Sequence, residues 1–359
     1  MKKDLADSAI QLLRELIAIP SFSREETEVA NAVARFFEQR HIPIQRKGNN
    51  TWAKSQFWDS NKPTLLLNSH IDTVKPVAGW QRDPFSPGIE NGILYGLGSN
   101  DAGASLVALM AVFVHFYEKK DLPVNLILAA TAEEEISGTN GIAAILPDLG
   151  AIDAAIVGEP TEMQMAIAEK GLMVVDALAV GQAGHAAREE GINAIYLALK
   201  DIQTIQSLEL PKISPLLGKV KFSVTQIEAG KQHNVVPDAC RFVIDIRTNE
   251  CYRNEEVFQL LQNAVRSELT ARSFRLNSSG IALDHPLVKS GLAMKLSYYG
   301  SPTLSDQALM PFPSLKMGCG HSARSHTADE FIYLDEIRNA IPIYIQLLEQ
   351  LHWPFEQKQ

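Results

Sequence analysis

Cysteine is scarce in this sequence: Cys240, Cys251 and Cys319 are the only three among 359 residues. An odd count with no CxxC pair argues against a disulfide framework and against a cysteine-rich zinc site. Positive charge is in deficit as well. The 33 Lys+Arg against 42 Asp+Glu leave a net charge of -9, which speaks against a nucleic-acid partner bound through bulk electrostatics. Long apolar runs are missing, since stretches such as Val124–Ala130 fall far short of the roughly 20 residues that cross a bilayer. The start, Met1-Lys2-Lys3-Asp4, leads into an amphipathic pattern, unlike the apolar block of a secretion signal. No internal repeat or low-complexity segment interrupts the chain. The expectation is a soluble, cytoplasmic protein with neither membrane nor nucleic acid as partner. What is present is ordinary for a globular fold, 46% hydrophobic and 21% charged residues, and the length predicts two domains at about 150 residues each.

The hydrophobic pattern then orders the chain. Ile10, Leu13, Leu16 and Ile17 recur at helical spacing before Pro20, and Ser23 followed by Glu26 has the form of a capping box opening a second helix to about Gln39. Thr64–Asn68 and Val124–Thr131 are short continuous apolar runs, as expected of strands buried on both faces. Ala102–Tyr117 reads as the helix between them. After about Gly171 the character changes: strand-like Leu172–Val180, helical Ile192–Ile205, strand-like Val220–Ile227 and Arg241–Ile246, helical Val257–Leu269. From about Asp284 a helix, a strand near Ser314–Met317 and a last helix Asp335–Leu351 resume the first pattern. The reading is an α/β domain with a smaller α+β block inserted into it.

The residues suited to chemistry cluster where strands end. His70 and Asp72 directly follow the first apolar strand; in extended backbone they point to the same side, and a metal-bound His commonly gives its other ring N–H to a carboxylate. A strand-end His beside a solvated Asp fits the same motif. Asp101 sits between the Gly96-Leu97-Gly98 turn and a helix, where a helix cap is the plainer role. Glu133-Glu134-Glu135 suits a solvated turn, but this run ends a strongly apolar strand, where α/β sheets place ligand sites. Glu159 follows the short strand Ala154–Val157, and His326 follows a Gly-rich turn. Two His and three carboxylates suffice for two zinc ions, with ligands at about 2.0–2.2 Å and metals about 3.5–4 Å apart. Cobalt or manganese suits the same N/O donors. His41, His115, His285 and His352 stand in helical or turn contexts and read as structural or solvated.

In order along the chain, His70-x-Asp72, Gly98-Ser99-Asn100-Asp101, Glu134-Glu135, Gly158-Glu159-Pro160-Thr161 and Ser325-His326-Thr327-Ala328-Asp329-Glu330 resemble the motifs of the two-zinc aminoacylase and carboxypeptidase family of metallopeptidases. That family includes acetylornithine deacetylase, succinyl-diaminopimelate desuccinylase, carboxypeptidase G and aminoacylase, and the resemblance runs over nearly the whole chain. It implies a catalytic α/β domain with a mixed sheet and flanking helices (1–172 and 284–359), interrupted by a smaller α+β lid that forms a homodimer (173–283). It also implies His70 and Glu159 as terminal ligands of one metal, Glu135 and His326 of the other, and Asp101 as the bridge. Asp72 corresponds to the residue that orients His70, and Glu134 to the general base. In the lid, Gly184-His185-Ala186 resembles the motif whose His reaches the other subunit's site, and Asn234-Val235-Val236-Pro237 the one whose Asn faces substrate. His321 competes with His326 as a ligand, but the Thr-Ala-Asp-Glu run favours His326. Gly96–Ala104 and Ala323–Thr327 resemble the acylornithine and acylcitrulline deacylases in particular, although Asp101-Ala102-Gly103-Ala104 stands where many members read Asp-Met-Lys-Gly.

The expected activity is removal of an N-acyl group, acetyl or succinyl, from an N-acyl-L-amino acid such as ornithine or citrulline, in arginine biosynthesis. Glu134 shuttles the proton, His185 stabilises the oxyanion, and Arg247 and Arg324 are candidates for the substrate carboxylate because guanidinium pairs with it bidentately; an ordinary ion pair is the alternative for each. A desuccinylase for succinyl-diaminopimelate or a dipeptidase would use the same machinery. A metal-stabilised binding protein on this fold would have no use for Glu134.

Overall fold

The apolar run Thr64–His70 is a strand with all seven residues buried, and alternation along it explains why. In the computed structural model, which describes residues 2–188 and 190–353, Leu65 and Leu67 join the core made by helices Lys2–Ile17, Thr27–Glu38, Ala104–Phe116 and Leu334–Glu349. Leu66 points the other way, into a second layer with Ile142, Ile145 and Leu149 of helix Ile142–Leu149. Asn125–Thr131 divides likewise, Leu126 and Leu128 to the first layer and Ile127 and Ala129 to the second. Each such leucine contributes about 1.5–3 kcal/mol by its burial.

Strand order in this sheet is Gln45–Lys47, Asn50–Lys54, Asn125–Thr131, Thr64–His70, Ala154–Val157, Ser314–Lys316, Met165–Glu169. Thr64–His70 runs parallel to Asn125–Thr131 and to Ala154–Val157, which is parallel in turn to Ser314–Lys316. Asn50–Lys54 and Met165–Glu169 pair antiparallel, so the sheet is mixed. The C-terminal strand Ser314–Lys316 is seated between two strands from the first half of the chain.

Two compact units result. One comprises the chain up to Ile167, Gly280–Tyr299 and Ser305 onward; the other is Ala168–Ser279 with Gly300–Leu304. The second unit carries a four-stranded antiparallel sheet, Lys221–Ala229, Ala239–Thr248, Gly171–Val180, Glu268–Ala271. One face of it, with Met173, Val175, Phe242, Ile244 and Ile246, is buried with Ala194, Ala198 and Ile205 of helix Ala194–Ser207 and Val257 and Leu261 of helix Asn254–Ala264.

Three local expectations change. Ser23 does not cap the second helix: Thr27–Glu38 starts after Glu26 with no side-chain cap, and the Ser23 hydroxyl instead donates to Asp72 Oδ2 at 2.7 Å. The helix expected over Val257–Leu269 stops at Ala264, because Glu268–Ala271 pairs as an edge strand with Gly171–Val180. The sequence also holds a longer apolar stretch than Val124–Ala130: Ser99–Phe116 is 18 residues long and apolar enough to cross a membrane, but 78% of it is buried inside the protein, as an irregular turn followed by the core helix Ala104–Phe116.

Candidate metal centre

The strands Thr64–His70, Asn125–Thr131, Ala154–Val157 and Ser314–Lys316 all run the same way, so the residues that follow them gather along one edge of the sheet. His70 closes the first, Glu133-Glu134-Glu135 follow the second, Glu159 the third and His326 the fourth. Asp101 joins them from the irregular turn Ser99–Gly103, where its own dihedrals leave the helical region. This is the carboxyl end of the strands, where α/β sheets build their sites.

Two sets of donor atoms result, each within 4.8 Å: His70, Asp101 and Glu159, and Asp101, Glu135 and His326. Asp101 belongs to both. Its Oδ1 lies 3.3 Å from His70 Nε2 and its Oδ2 3.6 Å from His326 Nε2. Glu135 Oε2 is 2.9 Å from His326 Nε2, and Glu159 Oε1 is 3.9 Å from His70 Nε2. That Glu159 oxygen is buried without a hydrogen-bond partner among the described residues. A buried carboxyl oxygen left this way costs about 1–3 kcal/mol, and more when ionised; a cation beside it removes the cost, so the donor set fits divalent metal.

Asp72 holds two of these pieces at once. His70 Nδ1 meets the Asp72 carbonyl oxygen at 2.9 Å and its carboxylate only at 3.6 Å. The carboxylate itself accepts from the backbone N–H of Glu134 at 3.0 Å and of Glu135 at 3.2 Å. Glu133, at φ +56°, turns the chain and accepts from Asn140. The three glutamates therefore diverge: Glu133 fixes the turn, Glu135 reaches His326, and Glu134 stays outside both sets.

Charge follows from this crowding. Burial pushes the Glu134 carboxyl well above its usual range, Glu159, Asp306 and Glu135 adding to the effect and His70 opposing it. Burial also raises Glu159, to about 8, with Asp101 and Glu135 adding while His70 and Lys316 oppose. Burial alone would lower His70, but Asp101, Asp72, Glu134 and Glu159 outweigh it and raise it well above the usual histidine value. The hydrogen bond to Glu135 and nearby carboxylates push His326 up to about 9 against partial burial. The centre is rich in negative charge and calls for cations or protons.

The Asp101 turn is itself held from the C-terminal segment. Buried Glu330 accepts from the N–H groups of Gly98, Asn100 and Asp101 at 3.0, 2.8 and 2.9 Å. Asn100 accepts from His321 N–H at 3.0 Å and donates to the His321 carbonyl and Ser325 Oγ. Neither contact was legible beforehand: Glu330 appears in the sequence only as the end of the His326 motif, with no sign of which groups it meets.

The other expected residues belong to neither donor set. His321 Nδ1 accepts from Ala323 N–H at 2.9 Å. Arg324 pairs with Glu336 at 2.7 Å and lies over the rings of Phe331 and Tyr333. Arg247, in the second unit, pairs with Asp245 at 2.8 Å. Both guanidiniums thus already have carboxylate partners. In that unit His185 and Asn234 come together: Gly184–His185 pairs with Val235–Val236, Ala186 N–H donates to the Asn234 carbonyl at 3.0 Å, and both side chains are on exposed residues.

The sequence profile of peptidase family M20/M25/M40 matches residues 66–350. Succinyl-diaminopimelate desuccinylase of Paracoccus denitrificans is 28% identical over 321 residues, covering 80% of this chain and 83% of its own. Aminopeptidase PepT of Bacillus cereus is similar in structure with a TM-score of 0.79 at 17% identity, covering 96% of this chain and 98% of its own. A dinuclear metal binding peptidase from Bacillus subtilis gives a TM-score of 0.73 at 15% identity, covering 97% and 99%. The fold is the mixed α/β architecture that these structures share.

Proposed function

From the premise that this chain belongs to peptidase family M20/M25/M40, and is therefore a metal-dependent hydrolase of amides, we propose that it removes the acyl group from an N-acyl-L-amino acid. The products are a carboxylate and a free α-amine. The observation that carries this reading is Glu134, a half-buried carboxylate beside two donor sets that share Asp101.

His70, Asp101 and Glu159 would hold one divalent ion and Asp101, Glu135 and His326 the other; zinc is the first choice, cobalt or manganese the alternatives. Bound there, they supply electrophilic pull on the amide carbonyl and lower the pKa of a nearby water toward about 7. Glu134 takes the proton of that water and hands it to the leaving amine. Asp72 fixes the Glu134 backbone, so the base keeps its reach.

In the second unit, His185 donates to the oxyanion in the partner copy of a homodimer formed through this unit, and Asn234 faces the substrate. Exposed apolar side chains support such an association, among them Tyr196 at 65%, Ile227 at 55% and Leu199 at 44% exposure. The resemblance of Gly96–Ala104 and Ala323–Thr327 to acylornithine and acylcitrulline deacylases favours acetyl- or succinyl-ornithine or -citrulline as substrate, and with it a role in arginine biosynthesis in the cytoplasm. The Paracoccus desuccinylase supports a second reading, succinyl-diaminopimelate, and the peptidase relatives a third, a dipeptide.

Zinc-loaded protein assayed on acetyl- and succinyl-ornithine, acetyl- and succinyl-citrulline, succinyl-diaminopimelate and a set of dipeptides separates these. The highest kcat/KM should fall on an ornithine or citrulline derivative. A tenfold preference for succinyl-diaminopimelate or a dipeptide would overturn the substrate assignment.

A further inference from the structure

Asp101 is shared by both donor sets, yet it stands in a turn with non-helical dihedrals that no ladder of strand hydrogen bonds fixes. Its position depends on what grips the turn. Gly98 enters it at φ +75°, and a Cβ there would meet Thr73 Cγ2 at 2.7 Å, so glycine alone lets the chain bend here. The bend turns the N–H groups of Gly98, Asn100 and Asp101 inward, and the Glu330 carboxylate, on a residue 2% exposed, receives all three. Converging backbone N–H groups of this kind form an anion nest. The anion here is a side chain of the same protein, four positions beyond His326 in sequence. Asn100 adds a second tie to the same segment through His321 and Ser325. Gly320, at φ +90°, leaves room for it, since a Cβ there would meet Asn100 Oδ1 at 2.4 Å.

We propose that Glu330 is a positioning residue that clamps Asp101 against the His326 segment, so that one carboxylate serves both metal sites. The inference rests on the two-metal reading above. Glutamine at 330 keeps the shape but turns an NH2 donor toward the N–H donors and removes the charge they solvate.

The test is cobalt(II) titration of metal-stripped full-length protein, with stoichiometry and affinity read by calorimetry and spin coupling by electron paramagnetic resonance. Wild type should take up two ions per chain and show coupling through the shared carboxylate. Glu330→Gln should weaken at least one of them by about 10–100-fold, the usual effect of losing a partner that orients a ligand, and abolish the coupling. Asp201→Asn is the control. Asp201 is a buried carboxylate of the second unit that accepts from the backbone N–H of Arg266 and Ser267, so its loss should lower Tm while leaving both ions in place. Should Glu330→Gln fail to fold by circular dichroism, Asn100→Ala cuts the other tie and should act in the same direction. Fewer than two ions on wild type would overturn the two-metal reading and this inference together. Two coupled ions on wild type and equally on folded Glu330→Gln, or on Asn100→Ala in its place, would overturn the inference alone.

Discussion

Glu134 and Glu135 are neighbours with different surroundings. Glu135 lies 2.9 Å from His326 and belongs to a donor set; Glu134 is held by Asp72 through its backbone and belongs to neither. Glu134→Gln should therefore keep full metal content by elemental analysis while turnover falls about 10²–10⁴-fold; loss of metal would make Glu134 a ligand and Glu135 misassigned. The two C-terminal histidines divide in the same manner. His326→Ala should lose one ion, whereas His321→Ala, which removes a cap on Ala323 N–H and an exposed 3.7 Å pairing with Glu162, should keep both and cost about 1 kcal/mol of stability. Metal titration of the two variants reads the difference, and the reverse pattern would exchange their roles. His70, Glu135 and Glu159 were legible because each closes or follows an apolar strand, and strand ends can be read from one-dimensional pattern; Asp101 and His326 stand after glycine-containing turns and were marked only by the order of the motifs. The roles of Ser23 and Glu330 were not. Their partners lie 49 and about 230 residues away, and nothing local marks a hydroxyl or carboxylate that serves distant backbone.

At the scale of elements, continuous apolar runs identified the central strands, since burial on both faces erases the alternation that would otherwise show a solvent side. Helix starts and ends were less legible. Ser23 and Glu26 satisfy the capping-box pattern, yet the serine hydroxyl finds a buried carboxylate and tertiary contact overrides the local motif. This makes a checkable distinction. Ser23→Ala should destabilise by about 1.5–3 kcal/mol, the range for a hydrogen bond to a charged acceptor, and should slow turnover because Asp72 also holds Glu134. Hydrogen exchange across Thr27–Glu38 should change only with global stability. Selective fraying at the start of that helix would restore the capping role. Leu269 misled in a similar way: Val257–Leu269 keeps helical spacing, but an edge strand pairing with Gly171–Val180 claims its end, and pairing partners are invisible to a periodicity count.

At the scale of the whole molecule, the in-trans role proposed for His185 can be tested by mixing chains. His185→Ala and Glu134→Gln homodimers should both be nearly inactive, a lost oxyanion donor costing about 10²–10³-fold. A heterodimer gives one site lacking both groups and one site with both intact, so random exchange at equal amounts should restore about one site in four. Confirmed exchange with no recovered activity would mean that His185 does not act across an interface. The seating of Ser314–Lys316 between Ala154–Val157 and Met165–Glu169 has a consequence for how the protein is made. Synthesis proceeds from the N-terminus at about 5–20 residues per second, so both flanking strands, and all of the inserted unit up to Ser279, emerge while the slot between them is still open. His326 emerges later still. The nascent chain thus carries two unpaired strand edges, one on Ala154–Val157 and one on Met165–Glu169, and a donor set that lacks His326, until the C-terminal segment arrives to fill both.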